Sequence, residues 1–192
     1  MTDERQRQRF LEVVAPHLDD ALTLARWLTG NVSDAEDVVQ EASIRALAGI
    51  GSLRDGHPRA WLLAIVRNTA YTWLAKNRSK KLIVTDDERV FEQAGQADGG
   101  VPSPEAAVIA RADAQRLREA IEALPLPYRE IIVLREIEDL SYQDIARITQ
   151  LPIGTVMSRL SRARGRLMEA LASDHGWAKA GVPAKRGKEN PS

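Results

Sequence analysis

The chain has 192 residues, with 27 basic and 27 acidic side chains and no cysteine. This length allows one large or two small domains, and the lack of cysteine excludes disulfides and cysteine-ligated zinc sites within the chain. No apolar run approaches the roughly 18 residues of a membrane span and the amino terminus is charged, so we predict a cytoplasmic protein without membrane insertion.

Helical periodicity dominates the beginning of the chain. Apolar residues recur at steps of three and four between residues 10 and 28, which indicates helices rather than strands. Pro16 is predicted to break or kink this pattern, because proline lacks an amide hydrogen. Gly30 is predicted to end it, since glycine readily adopts the left-handed conformation found after helix ends.

An acidic helix is predicted next. Ser33 and Glu36 have the spacing of a capping box, which is predicted to begin the helix. Asp34, Asp37 and Glu41 follow at spacings of three and four, so their carboxylates form one stripe beside the buried face. The helix dipole explains an acid in the first turn, but Asp37 and Glu41 lie too far along the helix for that explanation.

Charge is segregated along this part of the chain. Residues 33–41 carry four acids and no base, whereas residues 54–81 carry seven bases and the single acid Asp55. The basic segment begins in a loop rich in glycine and proline, residues 49–58, and continues into a helix predicted over about 59–77. Such blocks favour one surface for a basic protein partner and another for phosphates.

The composition changes after residue 81. Residues 82–103 combine glycine, proline and acids with little periodicity, which predicts a flexible acidic linker. A helix is predicted over 104–124, and another over 128–137 after a Leu-Pro-Leu-Pro break. In the first of these, the residues expected to point inward are Ala107, Ala110, Ala114, Leu117 and Ile121. The tail, residues 173–192, is predicted to be disordered.

Residues 139–168 contain two helical patterns hinged at Leu151-Pro152, as in a helix-turn-helix. Ser141 is predicted to cap the first helix and Pro152 to end it. The expected buried residues are Tyr142, Ile145, Ala146 and Ile148 in the first helix and Val156, Leu160, Ala163 and Leu167 in the second. The opposite face of the second helix carries four arginines and no acid. Solvated helix faces normally mix both signs, so this pattern favours contact with nucleic acid.

The order of these segments resembles one family of bacterial proteins. The segments SDAEDVVQEA, RAWLLAIVRNTAYTWLAKNR and LPLPYREIIVLREIEDLSYQDIARITQLPIGTVMSRLSRARGRL together resemble the extracytoplasmic-function (ECF) sigma factors of RNA polymerase, from Phe10 to Leu171. The resemblance implies an all-α initiation factor with two small domains. The implied divisions are sigma region 2 over 8–81, the linker over 82–103, sigma region 4 over 104–172 and the tail.

The resemblance also implies partners and site residues. The partners are promoter DNA, the clamp coiled coil and β flap of core RNA polymerase, and an anti-sigma factor; no cofactor is implied. Polymerase contacts are expected from Asp34, Asp37, Gln40 and Glu41. Recognition and melting of the minus 10 element are expected from Arg54, Asp55, His57, Arg59, Arg67, Asn68, Tyr71, Trp73 and Lys76. Contacts to the minus 35 element are expected from Tyr142, Thr155, Met157, Ser158, Arg159, Ser161, Arg162 and Arg164.

Two of these positions depart from the usual pattern of the family. Family members often carry a charged pair where this chain has Thr72-Trp73, and Trp73 also falls on the apolar stripe of its helix. Trp73 is therefore either a stacking surface for an unpaired base or part of the core. Met157 often has a basic counterpart in relatives, so here we expect an apolar contact, such as one with a thymine methyl.

Two other classes of protein compete with this interpretation. A stand-alone helix-turn-helix regulator would use the second half in the same way, but it does not explain the acidic helix paired with a basic loop and helix. An enzyme is disfavoured, because His17, His57 and His175 lack metal-ligand spacing and the chain has no cysteine nucleophile, P-loop or GxGxxG motif.

Overall fold

A computed structural model describes residues 3–53, 56–77 and 104–173, with the side chains of the last segment described from residue 110. Within these ranges the structure is helical and contains no strand. The helices are α1 (Asp3–Val13), α2 (Leu18–Thr29), α3 (Val32–Gly49), α4 (Pro58–Asn77), α5 (Pro104–Ala123), α6 (Leu126–Ile132), α7 (Tyr142–Thr149) and α8 (Ile153–Ser173). The predicted linker and residues 174–192 of the predicted tail lie outside the described residues.

The predicted break and end of the first helical segment are confirmed. A 3₁₀ turn, Ala15–His17, separates α1 from α2 at Pro16. Gly30 follows α2 with a φ of 86°, and its N–H donates to the carbonyl of Arg26 at 2.9 Å. A glycine is suited to this place because a side chain would be strained at that φ.

The predicted capping box of α3 is wrong by two residues. The N-cap is Asn31, which has an extended backbone and whose side-chain Oδ1 accepts a hydrogen bond from the N–H of Asp34 at 2.7 Å. The Asn31 amide also donates to the Asp34 carboxylate. Ser33 is exposed inside the first turn. Asparagine caps a helix as well as serine does. Because α2 ends at Gly30, Asn31 is the first residue after that end that can cap α3.

Helix α4 is buried over a wider arc than its apolar stripe predicts. Leu62, Val66 and Thr69 recur at spacings of three and four and are buried, but Leu63 and Ala70 are buried as well. The reason is that α4 packs against α2 and α3 on one side and against α7 on another. The two halves of the chain therefore share one continuous hydrophobic core, an arrangement that the sequence did not predict.

The inward face predicted for α5 is wrong over most of its described length. Ala110 and Ala114 are exposed, Leu117 is 42% exposed, and only Ile121 is buried; the side chain of Ala107 lies outside the described residues. Helix α5 contacts α6 and α8. Among the side chains described from residue 110 onward, burial is confined to the end that leads into α6, where Ile121 and Leu124 enter the core.

The helix-turn-helix follows the predicted pattern. The Ser141 hydroxyl accepts from the N–H of Asp144 at 3.1 Å and caps α7. Helix α7 ends before Gln150, which has a φ of 56°, and α8 begins after Pro152. The predicted core residues of both helices are either buried or packed against the core. Before α7, the predicted helix over 128–137 begins earlier, with α6, and passes into a π-helical turn, Val133–Ile137.

The cap of α3 can be tested by a pair of substitutions two residues apart. Asn31→Ala should lower the free energy of unfolding by about 1 kcal/mol, because an amide of the first turn loses its acceptor. Ser33→Ala should change it by less than about 0.5 kcal/mol, since an exposed side chain away from a cap matters little. Urea unfolding followed by circular dichroism measures both; a larger loss from Ser33→Ala would contradict the assignment of Asn31.

Candidate nucleic-acid interface

Burial of the apolar stripe of α8 leaves the opposite face of the helix exposed. The stripe residues Val156, Leu160 and Ala163 are buried, so the opposite face of the first two helical turns points to solvent. The residues on that face are Met157, Ser158, Ser161 and Arg162, all exposed, and Arg159, which is half-buried. The Met157 side chain is 48% exposed although it is large and apolar. This face has the size, polarity and positive charge of a helix that enters a major groove.

The other residues predicted for the minus 35 element have protein partners. Arg164 donates from Nε and Nη2 to Glu136 at 3.1 and 2.5 Å, and the bond to this carboxylate raises the pKa of Arg164. Tyr142 packs on the core, and the Arg135 guanidinium lies 5.3 Å from its ring centre. Thr155 is half-buried, and its carbonyl accepts from the Ser158 hydroxyl at 3.0 Å.

The acidic stripe of α3 lies on the protein surface with one exception. Asp37, Gln40 and Glu41 are exposed, and Glu41 pairs with Arg45 one turn further along. Asp34 is half-buried and bonded to Asn31. Asp34 therefore contributes to the helix cap, whereas the other three residues form an open polar surface.

The polar centre of the basic region is a carboxylate from the second half of the chain. Glu130 of α6 is fully buried. Its carboxylate accepts hydrogen bonds from Arg67 Nε and from the hydroxyl of Tyr71 at 3.0 Å, both on α4. The Arg67 guanidinium also lies 4.5 Å from the centre of the Tyr71 ring. These three side chains form one interlocked group between the halves, here called the Glu130 cluster.

Electrostatics within the Glu130 cluster shift the pKa values of both residues of α4. Burial by itself would lower the pKa of Arg67, but the hydrogen bond and the charge of Glu130 outweigh it and raise that pKa. Burial, and then the charge of Glu130, also raise the pKa of Tyr71. Tyr71 therefore stays a neutral donor and Arg67 stays a cation.

A second cluster joins α4 to the segment before α7. Arg59 donates to Asp20 at 2.6 Å, to the Glu138 carboxylate at 2.6 Å and to the Glu138 carbonyl at 2.8 Å. The Glu138 side chain is only 4% exposed. Burial and then the charge of Asp20 raise the pKa of Glu138 to about 7, although Arg59 opposes both effects. Two carboxylates thus share one guanidinium.

The remaining residues predicted for the minus 10 element fall in four groups. Asn68 and Lys76 are exposed on α4. His57 is exposed, with its Nδ1 3.5 Å from the Asp144 carboxylate. Trp73 is half-buried and packs against the core, which favours the core alternative for this residue. Arg54 and Asp55 lie outside the described residues.

Sequence reasoning missed the acidic partners of this region. Asp20, Glu130 and Glu138 contact residues that we predicted to bind DNA. A signal for Glu130 was present, since it is a single acid directly before the apolar run IIVL. An acid at a core-facing position must be paired with a cation or a donor. Among the described residues, no group of His, Asp and Glu side chains could hold a metal ion.

The raised pKa of Glu138 predicts that the stability of the folded chain depends on pH. Because folding raises the pKa of Glu138 from 4.5 to about 7, the folded chain holds a proton that the unfolded chain has already lost. The stabilising contribution is complete below about pH 4.5 and is lost as the pH rises through about 7. Glu138→Gln, which mimics the protonated form, should therefore gain roughly 1 to 3 kcal/mol relative to the parent between pH 4.5 and 8.

The measurement is urea unfolding of parent and variant across this range, and the difference between them isolates residue 138 from other titrating groups. Charged groups around this site are Arg59, Asp20 and His17, which lies 3.8 Å from Asp20. Glu136→Gln, at an exposed carboxylate of the same segment, is the control and should show no comparable trend. A parent–variant difference for Glu138→Gln that is independent of pH would refute the shifted pKa.

Comparisons with known proteins identify both halves. Residues 13–80 match sigma-70 region 2, and residues 114–167 match sigma-70 region 4. The chain is 37% identical over 144 residues to the RNA polymerase sigma-H factor of Pseudomonas aeruginosa, covering 73% of this chain and 75% of the relative. It is 32% identical over 168 residues to the ECF RNA polymerase sigma factor SigW of Bacillus subtilis, covering 84% and 88%.

Solved structures agree with these matches. The sigma factor RpoE from Bartonella quintana, in complex with the anti-sigma factor NepR, superposes with a TM-score of 0.64 at 31% identity, covering 88% of this chain and 97% of that one. CnrH, in complex with the cytosolic domain of CnrY, superposes with a TM-score of 0.60 at 25% identity, covering 86% and 88%. Among the described residues, no helix has the length and apolar character to cross a membrane. The sequence matches, the helical architecture and the helix-turn-helix together establish that the chain belongs to the ECF sigma factors of RNA polymerase.

Proposed function

We propose that the two halves of this sigma factor divide promoter recognition between them. As a member of its family, the chain binds core RNA polymerase and directs transcription initiation at specific promoters. Residues 8–81 are proposed to bind the polymerase clamp and the minus 10 element, and residues 104–172 to read the minus 35 element and contact the β flap. Residues 82–103 connect them as a linker.

The proposal for the minus 35 element rests on the exposed face of α8. Met157, Ser158, Ser161 and Arg162 occupy the first two turns of a helix whose other side is buried. Arg162 is assigned to a guanine edge, because a guanidinium can donate two parallel hydrogen bonds to O6 and N7. Met157 is assigned to an apolar contact. Arg159 and Arg164, with Tyr142 and Thr155, are assigned to the phosphate backbone.

The proposal for the minus 10 element rests on the cations and hydrogen-bond donors along α4. Melting without nucleotide hydrolysis requires capture of unstacked bases and their phosphates as they separate. Lys76 and Asn68 are exposed for such contacts. Arg59, Arg67, Tyr71 and His57 are the other described candidates, and Arg54 and Asp55 complete the set from the sequence.

The proposal for polymerase docking rests on the open part of the acidic stripe. Asp37, Gln40 and Glu41 are exposed on one helix, as complementarity to a basic surface requires. Asp34 is expected to contribute less to polymerase binding, because its carboxylate accepts a hydrogen bond from the cap residue Asn31.

Regulation and location follow from the family. One structural neighbour, the sigma factor RpoE, was solved in complex with a protein named as an anti-sigma factor; this supports regulation of our chain by an anti-sigma factor. Sigma factors are non-enzymatic initiation factors, so we assign no catalysis and no cofactor to this chain. Its proposed compartment is the cytoplasm, where RNA polymerase works.

The docking assignment can be tested by charge reversal. Asp37→Lys with Glu41→Lys should weaken binding to core polymerase at least about tenfold, because two favourable contacts become repulsive. Fluorescence anisotropy with labelled chain and core enzyme measures the affinity. Glu12→Lys with Asp19→Lys, at two exposed acids of α1 and α2, makes the same charge change as a control. Equal affinity of the docking variant and the parent would remove α3 from the interface.

The assignments on α8 can be separated by two arginine substitutions. Arg162→Ala should cost roughly 1 to 3 kcal/mol on the cognate minus 35 element and flatten preference at one base pair. Arg159→Ala should weaken all promoters about equally and lower the salt dependence by about one counterion. Binding of each holoenzyme to a library of minus 35 variants at two salt concentrations distinguishes them. If both variants keep the parental base preferences, Arg162 does not read sequence.

A further inference from the structure

The amino-terminal end of α8 exposes two large apolar side chains that lie one helical turn apart. Ile153 is 41% exposed and Met157 is 48% exposed. Residues four apart are neighbours on a helix surface, and helical side chains lean toward the amino terminus, so Met157 extends toward Ile153. Single exposed apolar residues are ordinary on protein surfaces. A neighbouring pair at the end of a helix proposed for the major groove indicates an apolar group on the ligand.

This end of α8 carries no charge with which to recognise a base. The segment QLPIGTVMS, residues 150–158, contains no charged side chain, and the first charge on α8 is that of Arg159. In a helix-turn-helix, the amino-terminal residues of the second helix are the ones that contact base edges. Arg162, which we assign to a guanine, lies further along the helix. Bases that face the first turn of α8 must therefore be distinguished in another way.

Hydrogen-bond donors are also scarce at this end of α8. The Ser158 hydroxyl donates to the carbonyl of Thr155 at 3.0 Å, so in this conformation it presents only acceptor lone pairs to a base. Thr155 is half-buried and is proposed for the phosphate backbone. Val156 is fully buried. The surface that remains for direct contact with base edges is the apolar surface of Ile153 and Met157.

The first turn of α8 also has room for a close approach of DNA. Gly154, between Ile153 and Thr155, is exposed. A Cβ atom at Gly154 would have no atom from another part of the chain within 4 Å. The helix therefore faces open solvent beside Ile153, and a base edge can reach the apolar pair.

The major groove offers one prominent apolar group. Guanine, cytosine and adenine present hydrogen-bond donors and acceptors there, whereas thymine also presents its C5 methyl group. Base pairs lie about 3.4 Å apart along a strand, and one helical turn rises about 5.4 Å. Side chains one turn apart therefore lie over base pairs that are neighbours or next neighbours. The apolar pair of α8 matches two nearby thymines.

We infer that Ile153 is a specificity-determining residue, and that Ile153 and Met157 read the methyl groups of two nearby thymines in the minus 35 element. This inference rests on the proposed minus 35 role of α8. It adds Ile153 to the residues that contact bases, a role that the sequence did not predict. It also assigns A·T base pairs to the amino-terminal end of α8 and a G·C base pair to Arg162.

The test removes one methyl group at a time from the DNA. Holoenzyme assembled from core polymerase and the full-length chain first selects its preferred duplex from a library with a randomised minus 35 region. Each thymine of that region is then replaced by uracil, which lacks only the C5 methyl group. The parent holoenzyme should bind about fourfold more weakly after replacement at each of two positions, as expected for the loss of one buried methyl group.

Two substitutions should assign these positions to side chains. Ile153→Ala should abolish the response to uracil at one position and Met157→Ala at the other, because each removes the side chain that contacts that methyl group. Met168→Ala is the matched control. Met168 is 62% exposed on the same helix but lies near its other end, so this variant should keep both parental responses.

The outcomes separate this inference from the proposed function. A preferred duplex without two nearby thymines, or equal affinity for thymine and uracil at every position, would overturn the reading of methyl groups. This comparison uses the parent chain, so it does not depend on the folding of any variant. Both parental responses in Ile153→Ala would remove Ile153 from recognition. A selection that returns no preferred sequence in the randomised region would instead refute the minus 35 role of α8.

Discussion

A fully buried carboxylate, Glu130, is the constraint on which the arrangement of this sigma factor depends. Taking a charge out of water is costly unless a partner and hydrogen bonds replace its hydration. Arg67 and Tyr71 of α4 supply both, and neither could do so if the second half were displaced. The apolar core continues across both halves, but apolar contact has no directional preference of its own. The Glu130 cluster therefore fixes which surfaces meet.

The second interdomain cluster is less balanced than the first. Around Glu130 one carboxylate meets a cation and a neutral donor, whereas around Arg59 two carboxylates meet one cation. The excess negative charge, together with burial, raises the pKa of Glu138 to about 7. Glu138 therefore holds a proton to a higher pH than an ordinary glutamate does.

The two surfaces proposed to contact DNA differ in exposure for a physical reason. Helix α8 packs against the rest of the chain through its apolar stripe, so its polar face is exposed to solvent. Helix α4 packs between α2 and α3 on one side and α7 on another, and its exposed polar residues, Asn68, Thr72 and Lys76, lie in its second half. The surface proposed for the minus 35 element is therefore open to solvent, whereas several residues proposed for the minus 10 element are engaged in contacts within the chain.

The sequence by itself determined the elements and the family. Stripes at helical spacing, the Ser141 cap, Gly30 and Pro152 are local signals, because each acts within about one helical turn. Local signals failed where packing decides: most of the described part of the face predicted inward on α5 is exposed, because only the end with Ile121 meets the core there. The spacing of Ser33 and Glu36 predicted the wrong cap for α3, which the structure places at Asn31. The pairing of Arg67 with Glu130 joins residues 63 positions apart, and only the tertiary structure could decide it, since no periodic pattern relates residues that far apart in the chain.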